Sequence, residues 1–127
     1  MPTISLTEAN FEHTVDKGIV LIDFWAAWCG PCRAFAPVFE AAATRHPGVT
    51  FGKVDTEAQP GLAGAFEVQA IPTLVVMRDG VVLLSRAGAL PAKALDDIIA
   101  QAQALDMAAV RSKLAAADAG RSAAAAR

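Results

Sequence analysis

Ile19-Val-Leu-Ile-Asp-Phe-Trp25, then Ala26-Ala27, then Trp28-Cys29-Gly30-Pro31-Cys32 and the run Arg33-Ala-Phe-Ala-Pro-Val-Phe-Glu40 decide how this chain folds. The first segment is nearly continuous, apolar and rich in β-branched residues, as a strand buried on both faces reads. The last carries apolar residues at helical spacing. Two thiols therefore stand at a strand-to-helix junction. Residues i and i+3 on a first helical turn face the same side, close to the roughly 4.4–6.8 Å between Cα atoms that a disulfide requires. At a helix start, unpaired backbone N–H groups and the macrodipole stabilise a thiolate. Gly30 tolerates a tight turn there, and Pro31 lacks an N–H that would have no helical partner. The reading is a reactive Cys29 backed by a resolving Cys32.

Outward from this centre, Thr3-Ile-Ser-Leu6 reads as a short edge strand. Thr7 or Ser5 is the candidate cap of a helix reaching about Asp16, with Ala9, Phe11 and Val15 as its apolar face. Lys17-Gly18 ends it, and a strand follows over Ile19–Phe24. The motif opens a helix to about Arg45 with Ala34, Phe35, Val38, Phe39 and Ala42 as its core stripe, and Pro37 should kink it. Val49–Val54 is the next strand, joined to the previous one by a right-handed crossover. Glu57–Phe66 reads as a short helix broken early by Pro60-Gly61. Thr73–Met77 and Val81–Arg86 form a hairpin, because Asp79-Gly80 between apolar runs is a strong turn signal. Pro91 opens a helix whose face includes Leu95, Ile98, Ile99 and Ala102. The order β-α-β-α-β-α-β-β-α gives an α/β fold: a central mixed sheet of five strands, parallel and antiparallel, with helices on both faces.

From Ala100 to Arg127 the composition shifts, 13 of 28 residues being alanine. Met107, Val110 and Leu114 support one amphipathic helix, either resting on the surface or docking a partner. We divide the chain into a domain over 1–105 and a C-terminal helical extension over 106–127, its end fraying after Gly120.

The 127 residues suit one domain with a real core. Lysine plus arginine number 11 against 13 acids, a balance that argues against nucleic acid or an anionic membrane as partner. No apolar stretch approaches the roughly 20 residues of a membrane span. The N-terminus lacks the basic start and apolar core of a signal peptide, which points to the cytoplasm. Both cysteines lie in the motif. A cytosolic CxxC within a βαβ pattern reads as redox-active, whereas zinc needs about four ligands, and His13 and His46 are placed elsewhere; no metal is expected.

Asp23 interrupts a run in which every neighbour expects burial. A buried carboxylate is costly and its pKa rises. So placed, it can take the proton of Cys32, or it can be a strand-end aspartate bonded to backbone amides. Trp25 is read as buried and Trp28 as covering the rim of the site, where aromatic side chains meet partners.

Asp23-Phe-Trp-Ala-Ala-Trp-Cys-Gly-Pro-Cys-Arg33 resembles the active-site segment of the thioredoxin family. Pro37, Lys53-Val-Asp55, Ile71-Pro-Thr73, Asp79-Gly80 and Gly88-Ala-Leu90 follow in the family's order, so the resemblance spans about Ile4 to Ala104. It implies the thioredoxin fold and a thiol–disulfide oxidoreductase that reduces client protein disulfides through a mixed disulfide on Cys29. It implies Asp23 as the buried proton-relay group with Lys53 as its neighbour, and a cis Ile71–Pro72 peptide facing the motif. Trp28, Gly30, Pro31, Ile71, Pro72 and Gly88 become the substrate-binding rim, with Trp25, Pro37 and Lys53 in support. It implies no bound cofactor, with electrons coming from NADPH through a flavoprotein thioredoxin reductase. Nothing in the sequence points away from a monomer. Arg33, Ala27 and Ala87 depart from common family residues, which leaves the chemistry intact and the choice of partner open. Two rivals stand beside this reading. One is a disulfide oxidase or isomerase, which Gly30-Pro31 and the N-terminus oppose; the other is a binding or chaperone module with secondary redox activity.

Overall fold

A computed structural model describes residues 2–125, and the side chains of residues 2–120. Its elements run β1 (Thr3–Ser5), α1 (Phe11–Val15), β2 (Ile19–Trp25), α2 (Gly30–Arg45), β3 (Thr50–Asp55), α3 (Pro60–Ala65), β4 (Thr73–Arg78), β5 (Val81–Ala87), α4 (Ala92–Ala104) and α5 (Met107–Ala125). One five-stranded sheet has the order β1-β3-β2-β4-β5. β1, β3 and β2 are parallel, while β4 runs antiparallel to β2 and β5 antiparallel to β4. β2, the strand that delivers the chain to the cysteines, is therefore central.

Alternation along β2 divides the core. Leu21 packs with Phe35, Phe39, Phe51, Leu74, Leu95 and Ile99, the side covered by α2 and α4. Val20, Ile22 and Phe24 pack with Leu6, Val15, Leu62 and Val75, the side covered by α1 and α3. Asp23 has the parity of Leu21 and so projects under α2. The Asp79-Gly80 turn has positive φ at both residues (52° and 81°), the conformation a two-residue type I′ hairpin requires.

Four local expectations change. The first helix starts at Phe11, because Thr7 and Asn10 hold a turn instead: the Thr7 N–H donates to Asn10 Oδ1 (2.8 Å) and the Asn10 N–H to Thr7 Oγ1 (3.3 Å). Ala34 is exposed, and Ala43 joins the α2 core stripe in its place. Pro60 opens α3 rather than breaking a longer helix, since the N–H groups of Glu57 and Ala58 bond Asp55 Oδ1 (2.9 and 3.3 Å) in a turn. α5 runs through Gly120 to Ala125; one glycine, at about 1 kcal/mol against alanine, is outweighed by the alanines around it. Any fraying at residues 126 and 127 lies outside the described residues. Pro37 sits within α2, which continues past it to Arg45.

α5 is anchored to the hairpin end of the sheet. Asp106 caps it through the N–H groups of Ala108 and Ala109 (3.0 and 3.2 Å). Met107 is buried, Val110 is half-buried and Leu114 is exposed. Arg78 Nη1 donates to the carbonyls of Ala102, Gln103 and Leu105 (2.8, 3.3 and 3.0 Å), closing the C-terminus of α4, and Arg111 Nη2 reaches Asp79 O (3.4 Å).

Candidate active site

β2 ends at Trp25, and the turn 26–29 aims the chain into α2 with Cys29 as its N-cap. Cys29 adopts extended dihedrals, and the Cys32 N–H, one of the orphan donors of the first turn, points at Cys29 Sγ (3.2 Å). That donor and the helix dipole both favour negative charge on this sulfur once the pair is reduced. Here Cys29 and Cys32 are joined as a disulfide with Cα atoms 5.2 Å apart. Both are buried, Cys29 at 5% exposure and Cys32 at 2%, among Ala26, Trp25 and Ile71. Gly30 and Pro31 are exposed at the rim.

The Ile71–Pro72 peptide is cis. The Ile71 carbonyl oxygen lies 3.7 Å from Cys29 Sγ. Gly88, at φ +102°, donates its N–H to Pro72 O (2.8 Å) and so ties the end of β5 to this loop. Such a φ is open to glycine and strained for other residues. Trp28 is the most exposed large apolar side chain in the described structure, at 68%. Its indole N–H donates to Glu57 Oε1 (2.7 Å). A shallow groove of about 200 Å³ runs between Trp28, Thr56, Val68, Ala70 and Ile71. Arg33 turns back to the Ala27 carbonyl (2.9 Å).

Asp23 is wholly buried, and among the described residues neither carboxylate oxygen finds a hydrogen-bond partner. The alternative of a strand-end aspartate bonded to amides is therefore absent. Burial pushes its pKa up to about 6, against the pull of the Lys53 charge and with a further push from Glu40. Lys53 stands level with Asp23 on the neighbouring strand, half-buried, with Nζ 5.1 Å from the centre of the Trp25 ring. Trp25 is half-buried.

Ile71, Trp25 and the two cysteines thus share one cluster, with Pro72, Gly88 and Trp28 around it; Asp23 is buried under α2, and Lys53, level with it on β3, is half-buried and turned to the Trp25 ring. Pro37 lies two turns along that helix, on its exposed side. Sequence reading missed Glu57, which holds Trp28, and Asp55, whose turn holds Glu57. Asp55 could have been found as an aspartate two residues ahead of a polar turn at a strand end. Glu57 carried no local signal, because its partner is 29 residues away.

A family model described as Thioredoxin matches residues 2–101. A protein of Streptomyces coelicolor that carries the provisional name thioredoxin 2 is 55% identical over 114 residues, covering 89% of this chain and 85% of that protein. The thioredoxin of Staphylococcus saprophyticus is 39% identical over 100 residues, covering 78% of this chain and 96% of its own. A Staphylococcus aureus thioredoxin is 43% identical over 81 residues, covering 63% and 78%.

Proposed function

The chain belongs to the thioredoxin family, and from that premise we propose the division of labour by which its Cys29–Cys32 pair reduces protein disulfides. The Cys29 thiolate attacks one sulfur of a client disulfide. A Cys29–client mixed disulfide forms, and the other client sulfur leaves as a thiolate that takes a proton from water. Asp23, as carboxylate, accepts the Cys32 proton; the Cys32 thiolate attacks Cys29 Sγ, closes the Cys29–Cys32 bond and expels the second client thiolate. Two electrons have then passed to the client. Holding both thiols on one helical turn makes the second step effectively intramolecular.

Trp28, Gly30, Pro31, Ile71, Pro72 and Gly88 are the surface that receives the client, an extended segment pairing with the Ile71 backbone as an added strand. Trp25, Pro37 and Lys53 support this surface and the Asp23 pocket. NADPH, through a flavoprotein reductase, returns the disulfide to the dithiol, and the protein works as a monomer in the cytoplasm. No helix among the described residues is long and apolar enough to cross a membrane.

The observation that carries this reading is the placement of Cys29 at the start of α2, its sulfur facing the Cys32 N–H and the Ile71 carbonyl. The reduction potential of the pair is the test, measured by equilibration with NADPH and reductase and paired with turnover of a model protein disulfide. A value near the roughly −270 mV of thioredoxins supports a reductase, and one near the roughly −180 mV of protein disulfide isomerase makes the protein an oxidant or isomerase.

A further inference from the structure

The chain leaving α3 closes that helix with two backbone bonds: the Val68 N–H donates to Ala63 O (3.0 Å) and the Glu67 N–H to Gly64 O (3.0 Å). Such an ending puts its pivotal residue in the left-handed region, where glycine is favoured. The pivot here is Glu67, exposed and at φ 53°. A glutamate thus stands against the local backbone preference, as residues at binding surfaces often do. It lines a groove of about 300 Å³ with Val68, Ala70, Thr73, Ser85 and Ala87. That groove adjoins the cis peptide: Ala70 and Thr73 flank Ile71–Pro72 in the chain, and Ala87 precedes Gly88, whose N–H is bonded to Pro72 O. Val68 and Ala70 also wall the groove beside Trp28, so the two clefts meet across this segment.

The chemistry of the second groove is one-sided. Among the described residues Glu67 is the one charged group in its lining, and it enters no ion pair. Strand alternation sets Ser85 and Ala87 on the face of Thr73 and Val75, whereas Arg86 takes the opposite face with Leu74. Val68, Ala70 and Ala87 present carbon. Thr73 Oγ1 spends its proton on Ala70 O (2.5 Å) and keeps lone pairs that can accept. We propose that this groove receives a lysine or arginine side chain of the client, and that Glu67 selects disulfides with such a residue close by. The aliphatic stem lies along Val68, Ala70 and Ala87, and the cationic head meets the Glu67 carboxylate in a charge-assisted hydrogen bond. This rests on the reading of Ile71, Pro72 and Gly88 as the surface that pairs with an extended client segment.

The experiment uses symmetric disulfides of short peptides with one cysteine each, in which lysine or methionine is placed in turn at every position around that cysteine. The rate constant for their reduction by the reduced protein is followed by acid quench and mass spectrometry. At one position lysine should exceed methionine by about threefold to fivefold, the size of one exposed charge pair. Glu67→Gln removes this advantage, Glu67→Lys reverses it, and high salt suppresses it in the parent. Glu67→Gly also removes it while suiting the left-handed backbone, so its loss there does not come from unfolding. If no position favours lysine, or if E67Q and E67G keep the advantage, the proposal is overturned. Trp28→Ala, measured on the methionine peptides, separates this from the reading beneath it. A slower W28A without any Glu67-dependent preference removes the groove alone and leaves the client surface standing. Rates unaltered in W28A and in every Glu67 variant remove the client surface together with the groove.

Discussion

Asp23 and Lys53 stand at the same register position on adjacent strands, yet no hydrogen bond joins them: the carboxylate has no hydrogen-bond partner among the described residues, while the ammonium lies over the Trp25 ring. The two groups interact through space: burial raises the proton affinity of the carboxyl, and the Lys53 charge, out of hydrogen-bond contact, offsets only part of that rise. Replacing Lys53 with Met removes the charge that pulls the Asp23 pKa down. The Asp23 midpoint should rise above about 6 in K53M. A carboxyl titration followed by infrared or NMR spectroscopy checks this, and a fall would show that Lys53 does not act electrostatically.

The same carboxyl should make stability fall as pH rises. Its pKa is about 6 in the folded chain against an ordinary 3.8, so between those values the folded state binds more protons than the unfolded one. The Asp23 contribution is therefore fully present below about pH 4 and is lost as pH rises through about 6. The gap corresponds to about 3 kcal/mol. In Asp23→Asn this slope disappears, so the difference in unfolding free energy between parent and variant should change by about 3 kcal/mol between pH 4 and pH 8. Urea unfolding at several pH values measures it; parallel curves would refute it.

The cysteines should fail in different ways. Cys29→Ser abolishes exchange down to background. Cys32→Ser still forms the first bond and accumulates a mixed disulfide with client, visible as a reducible adduct on a non-reducing gel. If the adduct forms on Cys32 in C29S and not on Cys29 in C32S, the order of attack is reversed.

Trp28 is exposed and tethered by Glu57, a geometry suited to contact and not to core support. Trp28→Ala should raise KM for a protein disulfide about fivefold to tenfold, in line with the loss of about 1–1.4 kcal/mol of interface contact. The reduction potential should change little. Glu57→Gln, which keeps an acceptor for the indole, should have a much smaller effect. Equal kinetics for W28A and the parent would remove Trp28 from the binding rim.

Met107 is the buried foot of α5. Met107→Ala should destabilise by about 2 kcal/mol or somewhat more, as large-to-small changes at buried methionines do, with exchange kinetics unchanged. A thermal melt and an insulin-reduction assay together test it. Loss of activity without loss of stability would place α5 in the reaction.

The parts of the fold that local chemistry dictates were legible in sequence. Asp79-Gly80 announced its turn because positive φ at two successive residues is nearly reserved for such pairs, and Ile19–Phe24 announced a central strand by having no polar face. Where two local rules competed, the reading slipped. Thr7 was an admissible helix cap, but Asn10 three residues on could bond it reciprocally, and that turn delayed the helix. Gly120 was an admissible stop, but it stands among alanines that favour continuing. At the site, Cys29, Cys32 and Asp23 stood out because each broke the chemistry of its surroundings. Glu57 did not, since an acid at an exposed turn position looks ordinary until the distant Trp28 is brought to it.

The clasp of Arg78 on the α4 carbonyls has a geometric corollary. β4 begins beside the cis proline and ends at Arg78, so its six residues, at about 3.3 Å each, carry the chain some 15–20 Å away from the sulfurs. The last helix is moored at that far pole. An immobilising linker or reporter attached at the exposed Ala108 or Ala109, in the first turn of α5, therefore sits at the pole away from the disulfide, and the two ends of the molecule can be addressed independently.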